Sequence, residues 1–557
     1  MAQTSSAQLF KLVGDTLAGQ YVNIDKSYTL DDIKRAVGLT FHVAKPEGIT
    51  FHTSPEQHGQ LENASDIIAA KAPVSVRIDG RAVQDPQGPT ELPFVGNFHE
   101  IYPDHLGNHF RLFQKYGHVI RTTNMGKTTY LTNSPDVTHV AMMESVYFTK
   151  KINENHPLWG IKDNTAMFVG DTETENWRIG HKFLPTAMGP KAVRHYTPLM
   201  QESVRNSFTV FDELAECGKE WNVYPFMVKL ASQTIGKFAL GMDFGHFTSV
   251  DAKLHPLIMS FGALLGLNKK VTSRGEWYRH LPFGIPAELR RVQKETYGYL
   301  QEAISGSSSS GLRNMPMEEA AIKASCVGDY LVNAVDEEGK HFPEGLVLAN
   351  MMVVTGAGFS TTGSLLSWLI YCLVAYPGAQ DRLLQELVDH DVDGKLNWTP
   401  DKANGMPYLH NFIKEGQRLH SPSYQPGRTT KTDVILPGGY RIGAGSVLIP
   451  AVHAIHTNPT VWRDPLLFDA DRWDSDEIKT LHRYAYIPFA AGPRGCIGFN
   501  FALLEAKVLI SELVYRYEFV RYGNEAIDYD PEFQLIRPLN LYVTARKRTV
   551  WPAKSRK

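Results

Sequence analysis

Between about residue 100 and residue 385, apolar side chains recur three and four positions apart, as in Ala252 to Leu267 and Ala287 to Ile304. That period places them on one face of a helix, so this stretch is predicted to be mainly helical. Leu346 to Tyr376 carries no charged residue at all and exceeds the roughly 20 apolar residues that span a bilayer. Its middle, however, holds Thr355, Ser360, Thr361, Thr362 and Ser364 among glycines, and neither flank concentrates Lys or Arg. A helix buried through the centre of a large domain accounts for both features, and no transmembrane anchor is expected.

Elsewhere the period changes. Asp433 to Ala451 breaks into short apolar runs at Pro-Gly-Gly and Gly-Ala-Gly, which predicts strands from about 430 to 452. Ile497 to Tyr517 returns to a helical pattern, and the last forty residues read as a small hairpin. The first 85 residues mix short polar and apolar runs, as a few strands around a helix such as Asp31 to Val37 would. Asp85 to Asn97 is rich in Pro and Gly and marks a boundary, while Gly306 to Gly311 reads as a flexible link. No repeat of about 20–50 residues stands out. The expected architecture is mainly α with a minor β portion (α+β). Residues 86–557 form one domain around a long central helix, and residues 1–85 form a small α/β-type extension of unknown role.

Charge narrows the function. Lys plus Arg is 57 and Asp plus Glu is 59, a net −2 that argues against bulk nucleic-acid binding. Four cysteines, Cys217, Cys326, Cys372 and Cys496, lie far apart with no CxxC pair, so neither a disulfide framework nor a thiolate zinc site is present in the pattern. By default each is a buried small hydrophobe. The N-terminus lacks the pattern of a signal peptide, which points to an intracellular protein, cytoplasmic or peripherally associated with the endoplasmic reticulum.

Cys496 departs from that default. It sits in Phe489-Ala-Ala-Gly-Pro-Arg-Gly-Cys-Ile-Gly498, directly before a helix-forming run, where amide donors and the positive end of the helix dipole favour a thiolate. Gly492, Gly495 and Gly498 allow close approach to a flat partner, and Arg494 offers a fork to carboxylates. An oxidisable, merely reactive cysteine is the bland alternative.

Phe489, Gly492, Arg494, Cys496 and Gly498 resemble the haem-binding signature of the cytochrome P-450 family, with soluble or fungal-type members nearest in pattern. The resemblance covers roughly residues 88 to 550. It implies the family's fold and a haem b group whose iron takes the Cys496 thiolate as axial ligand. Glu415 and Arg418, three apart on a helix, with Arg472 in Phe468-Asp-Ala-Asp-Arg-Trp473, look like the family's structural triad. Arg428 resembles a haem propionate partner, and Trp177 with His181 is similar to the early helix that faces a propionate, where many members have Arg in place of His181.

Ala357-Gly-Phe-Ser-Thr-Thr362 is similar to the family's central-helix motif. By that resemblance Ala357 leaves room for substrate, and Thr361 hydrogen-bonds dioxygen and relays protons. Ser360 stands where the family usually has a carboxylate; a hydroxyl relays a proton but stores none as an acid. Hydrogen bonding of these hydroxyls to the carbonyl four residues back is the ordinary alternative. Phe168 occupies a position that in fatty-acid-hydroxylating relatives points over the haem.

The resemblance implies a monooxygenase that inserts one oxygen atom from dioxygen into a lipophilic small molecule, a fatty acid or a secondary metabolite. Electrons would come from a separate NAD(P)H-dependent reductase, since no flavin or nicotinamide pattern follows residue 550. The altered acid at 360 is also compatible with a haem-thiolate isomerase, dehydratase, peroxygenase or nitric oxide reductase, and a haem-thiolate sensor is the non-enzymatic alternative. Two readings outside the family are weaker. Val354 to Gly363 with Asp381 imitates a dinucleotide-binding turn but fails the GxGxxG spacing, and His105 with His109 or His453 with His456 lacks the third ligand of a zinc site.

Overall fold

The computed structural model describes residues 5–555 apart from 17, 57–58, 275, 308–312, 392–393, 397, 424–425 and 532. The Gly/Ser link at 306–311 therefore lies largely outside the described residues.

The chain begins with β1 (Ser5–Leu12) and β2 (Gln20–Asp25), then α1 (Leu30–Thr40), β3 (Ile49–His52), β4 (Gln60–Leu61) and β5 (Val74–Ile78). They form one mixed sheet in the order β2-β1-β5-β3-β4, with β1 and β5 parallel at its centre. Helix α1 starts at a capping box: the Asp32 amide donates to Thr29 Oγ1, and the Thr29 amide donates to the Asp32 carboxylate at 2.9 Å. Ile33 and Val37, one turn apart, then bury their side chains with Phe10, Ile24, Phe51, Val76 and Ile78 in a core separate from the main one.

Next come α2 (His105–Tyr116), β6 (Val119–Asn124), β7 (Lys127–Thr132), α3 (Pro135–Met142) and β8 (Phe148–Thr149). A helical body follows, including α4 (Glu175–Ala187), α5 (Val223–Ile235), α6 (Pro256–Thr272), α7 (Gly284–Ser307), α8 (Glu344–Ala375) and α9 (Pro407–Leu419). The chain then returns through β9 (Arg428–Thr430), β10 (Val434–Leu436), β11 (Tyr440–Ile442) and β12 (Val447–Pro450), and ends with α10 (Phe499–Arg516), β13 (Tyr517–Arg521) and β14 (Tyr542–Lys547). Strands β6-β7-β12-β9-β8 make the second sheet in that order.

The charge-free segment is α8, a core helix. Leu365, Leu366, Leu369 and Ile370 are all buried, each contributing about 1.5–3 kcal/mol of transfer free energy. Helix α5 lies close against it because two positions lack a Cβ. One at Gly358 would stand 2.5 Å from Ile235, and one at Gly363 would press on the Val228 backbone at 3.2 Å.

The first sheet is seated on the β10–β11 hairpin by backbone hydrogen bonds. Ala44 N–H donates to Ile435 O and Ile435 N–H to His42 O, both at 2.9 Å, and Gln84 exchanges bonds with Gly439 and Arg441. Ile435 completes the first sheet's core.

Two boundaries differ from the sequence reading. Helix α6 starts at Pro256, capped by His255, so residues 252–255 stay outside it. The C-terminal hairpin is not tight: β13 follows α10 directly and pairs with β14 only after residues 522–541 have laid Ile536 against Trp368 of α8.

Candidate functional site

The loop before α10 closes on itself when the Cys496 amide donates to Phe489 O at 2.9 Å. Gly492 has φ +70, and a Cβ there would stand 2.1 Å from Met142 O, so only glycine lets the loop press on the end of α3. Cys496 is exposed as a residue in front of this loop, yet enough protein surrounds its thiol that burial pushes it up, with the Gly498 amide pulling the other way. Burial thus outweighs the helix-terminus effect expected from the sequence. A thiol in this position becomes a thiolate when a metal ion displaces its proton.

On α8, Ala357 and Thr361 stand one turn apart on an open face, and Thr361 Oγ1 donates to Ala357 O at 2.7 Å. Ser360 is buried on another side, its hydroxyl given to Gly356 O at 2.7 Å. Both hydroxyls thus bond back along the helix, and Ser360 is not on the Thr361 face. Thr362 donates to Glu505 of α10 at 3.2 Å, tying α8 to the helix that follows Cys496. Burial pushes the Glu505 carboxyl up to about 8.

The arginine fork of the loop is used differently from expectation. Arg494 donates to the carbonyls of Gly170 (2.7 Å), Met167 (2.9 Å) and Phe168 (3.0 Å), and lies over the Trp177 ring. Trp177 stacks on His181 at 4.5 Å, one turn along α4. Phe168 is 43% exposed, which is unlike a core aromatic. Lys150, on the strand side of the site, donates to Phe168 O and lies 3.9 Å over its ring. Arg428, at the start of β9, is 1% exposed. Its Nε is 3.1 Å from Glu144 Oε1, Nη1 donates to Gly427 O, and Nη2 has no hydrogen-bond partner.

Three cations, Lys150, Arg428 and Arg494, therefore crowd around Glu144. Burial and the two arginines push the Lys150 amine well down, and burial lowers Arg494 to about 10. Such a cluster favours an added anion.

Glu415, Arg418 and Arg472 are brought together in a different way. Glu415 and Arg418 are both fully buried and joined by two bonds of 2.8 and 2.9 Å. Arg472 Nε reaches Glu415 at 3.3 Å, Trp473 Nε1 and the Asp469 amide also donate to it, and Arg418 caps the carbonyls of His456, Pro465 and Leu467.

The cytochrome P450 family model matches residues 86–544. The chain belongs to the cytochrome P-450 family. It is 46% identical over 555 residues to the cytochrome P-450 monooxygenase alnD of Emericella nidulans, covering 99% of this chain and all of that one. It is 34% identical over 358 residues to human cytochrome P-450 4F3, covering 62% of this chain and 67% of the relative. Over 229 residues it is 34% identical to mouse leukotriene-B4 omega-hydroxylase 3, 41% of this chain and 43% of that one. The crystal structure of the cytochrome P-450DA haem domain superposes with a TM-score of 0.73 at 21% identity, covering 84% of this chain and 99% of that domain.

This cytochrome P-450 is thus a monooxygenase of a haem-iron family with the family's α+β fold. Its residues fit a thiolate-bound haem: an accessible sulfur ahead of a helix, an unpartnered buried Arg428 Nη2, and exposed apolar carbons on Phe168 and Ala357. The dinucleotide reading fails because Val354 to Gly363 is continuous helix. His453 bonds Ser421 O and His456 accepts the Ile487 amide, and no group of three His, Cys, Asp or Glu among the described residues could hold a metal ion.

Sequence reasoning missed Glu144, Lys150 and Glu505. Glu144 has a φ of 47° in the turn after α3 and also accepts from Thr172, and neither feature leaves a motif. Lys150 follows a two-residue strand without periodicity. Glu505 had one signal, an acid set between apolar residues of α10 with Leu503, Leu504 and Ala506 beside it.

Proposed function

We propose that this cytochrome P-450 inserts one oxygen atom from dioxygen into a C–H or C=C bond of a lipophilic small molecule, a fatty acid or secondary metabolite, with electrons from a separate NAD(P)H-linked reductase. The observation that carries this reading is the pairing of Cys496 with a buried, under-neutralised basic cluster. Cys496 would ligate the iron, while Arg428, Lys150 and the Trp177–His181 stack would receive the acidic edge of the group. When bound, haem supplies thiolate-supported activation of dioxygen. Ala357 keeps the adjoining face of α8 open to substrate, and Thr361 can turn its hydroxyl from Ala357 O toward that face to donate a proton. Ser360 holds the helix rather than feeding that proton path, since it is buried on another side of α8 with its hydroxyl on Gly356 O. The relative named as a leukotriene-B4 omega-hydroxylase supports a lipid substrate.

The committed Ser360 also favours a second reading, oxygen insertion driven by peroxide without proton-coupled use of dioxygen. Purified haem-loaded protein, given a surrogate reductase and dioxygen or peroxide alone, separates them. Product with reductase and dioxygen supports the first, and product only with peroxide supports the second. Cys496→Ser should remove the red-shifted absorbance band of the reduced carbon monoxide complex; a surviving band would overturn the ligand assignment.

A further inference from the structure

The ion pair between Glu144 and Arg428 joins two stretches of chain. Glu144 lies in the turn just after α3, with a φ of 47°, and Arg428 opens β9. The two stretches then run side by side: β9 pairs with β8 through Thr429 with Thr149 and Thr430 with Phe148, and the Lys431 amide donates to Tyr147 O at 2.8 Å. Lys150 follows β8 directly. Lys150, Arg428 and Arg494 act on one another as like charges, so their spacing has to be imposed by the segments that carry them. Those segments are α3, the chain from 144 to 149 and the chain from 428 to 435.

One turn of the N-terminal extension, residues 42–45, touches all three, and it lies outside the 86–544 region of the family model. Ala44 packs on a cluster that contains Val137 and Ala141 of α3, Phe148 of β8 and Val434 of β10. Lys45 Nζ donates to Asp136 at the start of α3, and that carboxylate also faces His482 Nε2 at 3.8 Å. His42 Nδ1 stands 3.0 Å from both Thr432 Oγ1 and Asp433 O, and its ring centre is 6.5 Å from that of Tyr147. His42 has a φ of 55°, and the chain around it is held by the Ile435 amide on His42 O and the Ala44 amide on Ile435 O. A residue other than glycine keeps that conformation where its surroundings fix it. Here they fix the turn against the segments that lead to Glu144 and to Arg428.

We propose that His42, Ala44 and Lys45 are positioning residues for the cluster, acting through α3 on Glu144 and through residues 432–435 on Arg428. The N-terminal extension thereby sets the spacing of the cations that receive the acidic edge of haem. The proposal rests on the reading of that cluster given under the proposed function, and it adds the part of the chain that holds the cluster in shape.

Transfer out of the loaded full chain to excess apoglobin, run with haem and with haem dimethyl ester, tests it, because the ester keeps ring and iron but lacks both acidic groups. Wild type should lose the ester at least about tenfold faster than haem. His42→Gly with Lys45→Met keeps the positive φ and removes both side-chain links; it should speed haem loss about 3- to 10-fold and leave ester loss unchanged. His42→Asn with Lys45→Arg, which restores a polar side chain suited to that φ and a cation, should return haem loss to within about twofold of wild type. Ala44→Leu overpacks the contact of the turn with α3 and should accelerate haem loss further, again sparing the ester. Haem loss as slow as wild type in both His42→Gly/Lys45→Met and Ala44→Leu overturns the proposal. So does equal acceleration of haem and ester, which marks a merely structural role. Wild type losing haem and ester alike sinks the reading of the cluster and this proposal with it, whereas a wild-type preference that the variants leave untouched sinks the positioning role alone.

Discussion

Two buried clusters of charge stand within one fold and are finished to different degrees. Around Glu415, every strong donor has an acceptor: two bonds from Arg418, one each from Arg472, Trp473 and the Asp469 amide, and the remaining arginine protons on backbone carbonyls. Around Glu144, Arg428 has its one ion pair, Lys150 and Arg494 feel the same carboxylate with Asp171 also acting on Arg494, Lys150 is held far from its ordinary basicity, and Arg428 Nη2 has no partner among the described residues. A buried charge without a partner is costly, so the second arrangement persists only where something else compensates it. The first cluster is the fold's own fastening, and under the proposed function the second would receive the anionic edge of a bound group.

The largest test breaks the first cluster. Glu415→Ala leaves Arg418 buried without its carboxylate and should cost about 3–5 kcal/mol, seen as a large fall in the denaturation midpoint whether or not haem is bound. A small shift, or one that bound haem repairs, would mean the two clusters do not differ in kind.

Acid should attack both clusters by the same route. His456 and His420 lie close to Arg418, and His156 lies close to Lys150 and Arg428; burial above all holds each neutral, with a pKa of about 3 against an ordinary 6.5. The unfolded chain takes up protons that the native state refuses, so stability is complete above about pH 6.5 and falls as pH drops toward 3. The slope is at most about 1.4 kcal/mol per pH unit for each histidine. Equilibrium denaturation between pH 7 and pH 5 measures it; a flat profile would show these rings to be wetter than the structure has them.

The second cluster is tested by removing a cation and its counter-charge together. Arg428→Met with Glu144→Gln should change the stability of the haem-free protein by less than about 1.5 kcal/mol, within the range of near-neutral replacement of a buried pair. Retention of haem in a transfer assay should fall about tenfold, the effect of one lost charge-assisted contact. Loss of stability without loss of haem would make Arg428 a second fastening.

These clusters also show what the sequence could reveal. Glu415 and Arg418 are three apart on one helix, and Cys496 sits in a run of glycines before another; spacing brought them forward as candidates, and the family resemblance gave them their roles. The absence of charge from Leu346 to Tyr376 likewise marked a mostly buried core helix, although not the open face that Ala357 and Thr361 share. Arg494 was legible as a fork but not as a clamp on the carbonyls of residues 167, 168 and 170, because main-chain acceptors leave no trace in side-chain pattern. Glu144 and Lys150 come from irregular chain on either side of a two-residue strand, where no period exists to read. The N-terminal strands were visible as short polar and apolar runs, yet their seat on β10–β11 depends on backbone bonds from Ala44 and Gln84 that no residue type dictates.

The smallest effect belongs to Thr361, which touches neither cluster. Its hydroxyl bonds Ala357 O, so Thr361→Ala removes one local bond and should leave stability within about 1 kcal/mol. Product formed per reductant consumed should nevertheless drop several-fold, with peroxide released, because the neighbouring hydroxyl of Ser360 is buried on another side of the helix and bonded to Gly356 O. Thr361→Ser keeps the hydroxyl and should restore coupling, while the carbon monoxide band stays constant in both variants. If Thr361→Ala couples as tightly as wild type, the hydroxyl serves only the helix, and the proton must come from elsewhere. Glu505, held mostly protonated at neutral pH behind Thr362, would then be the group to replace next, as Glu505→Gln.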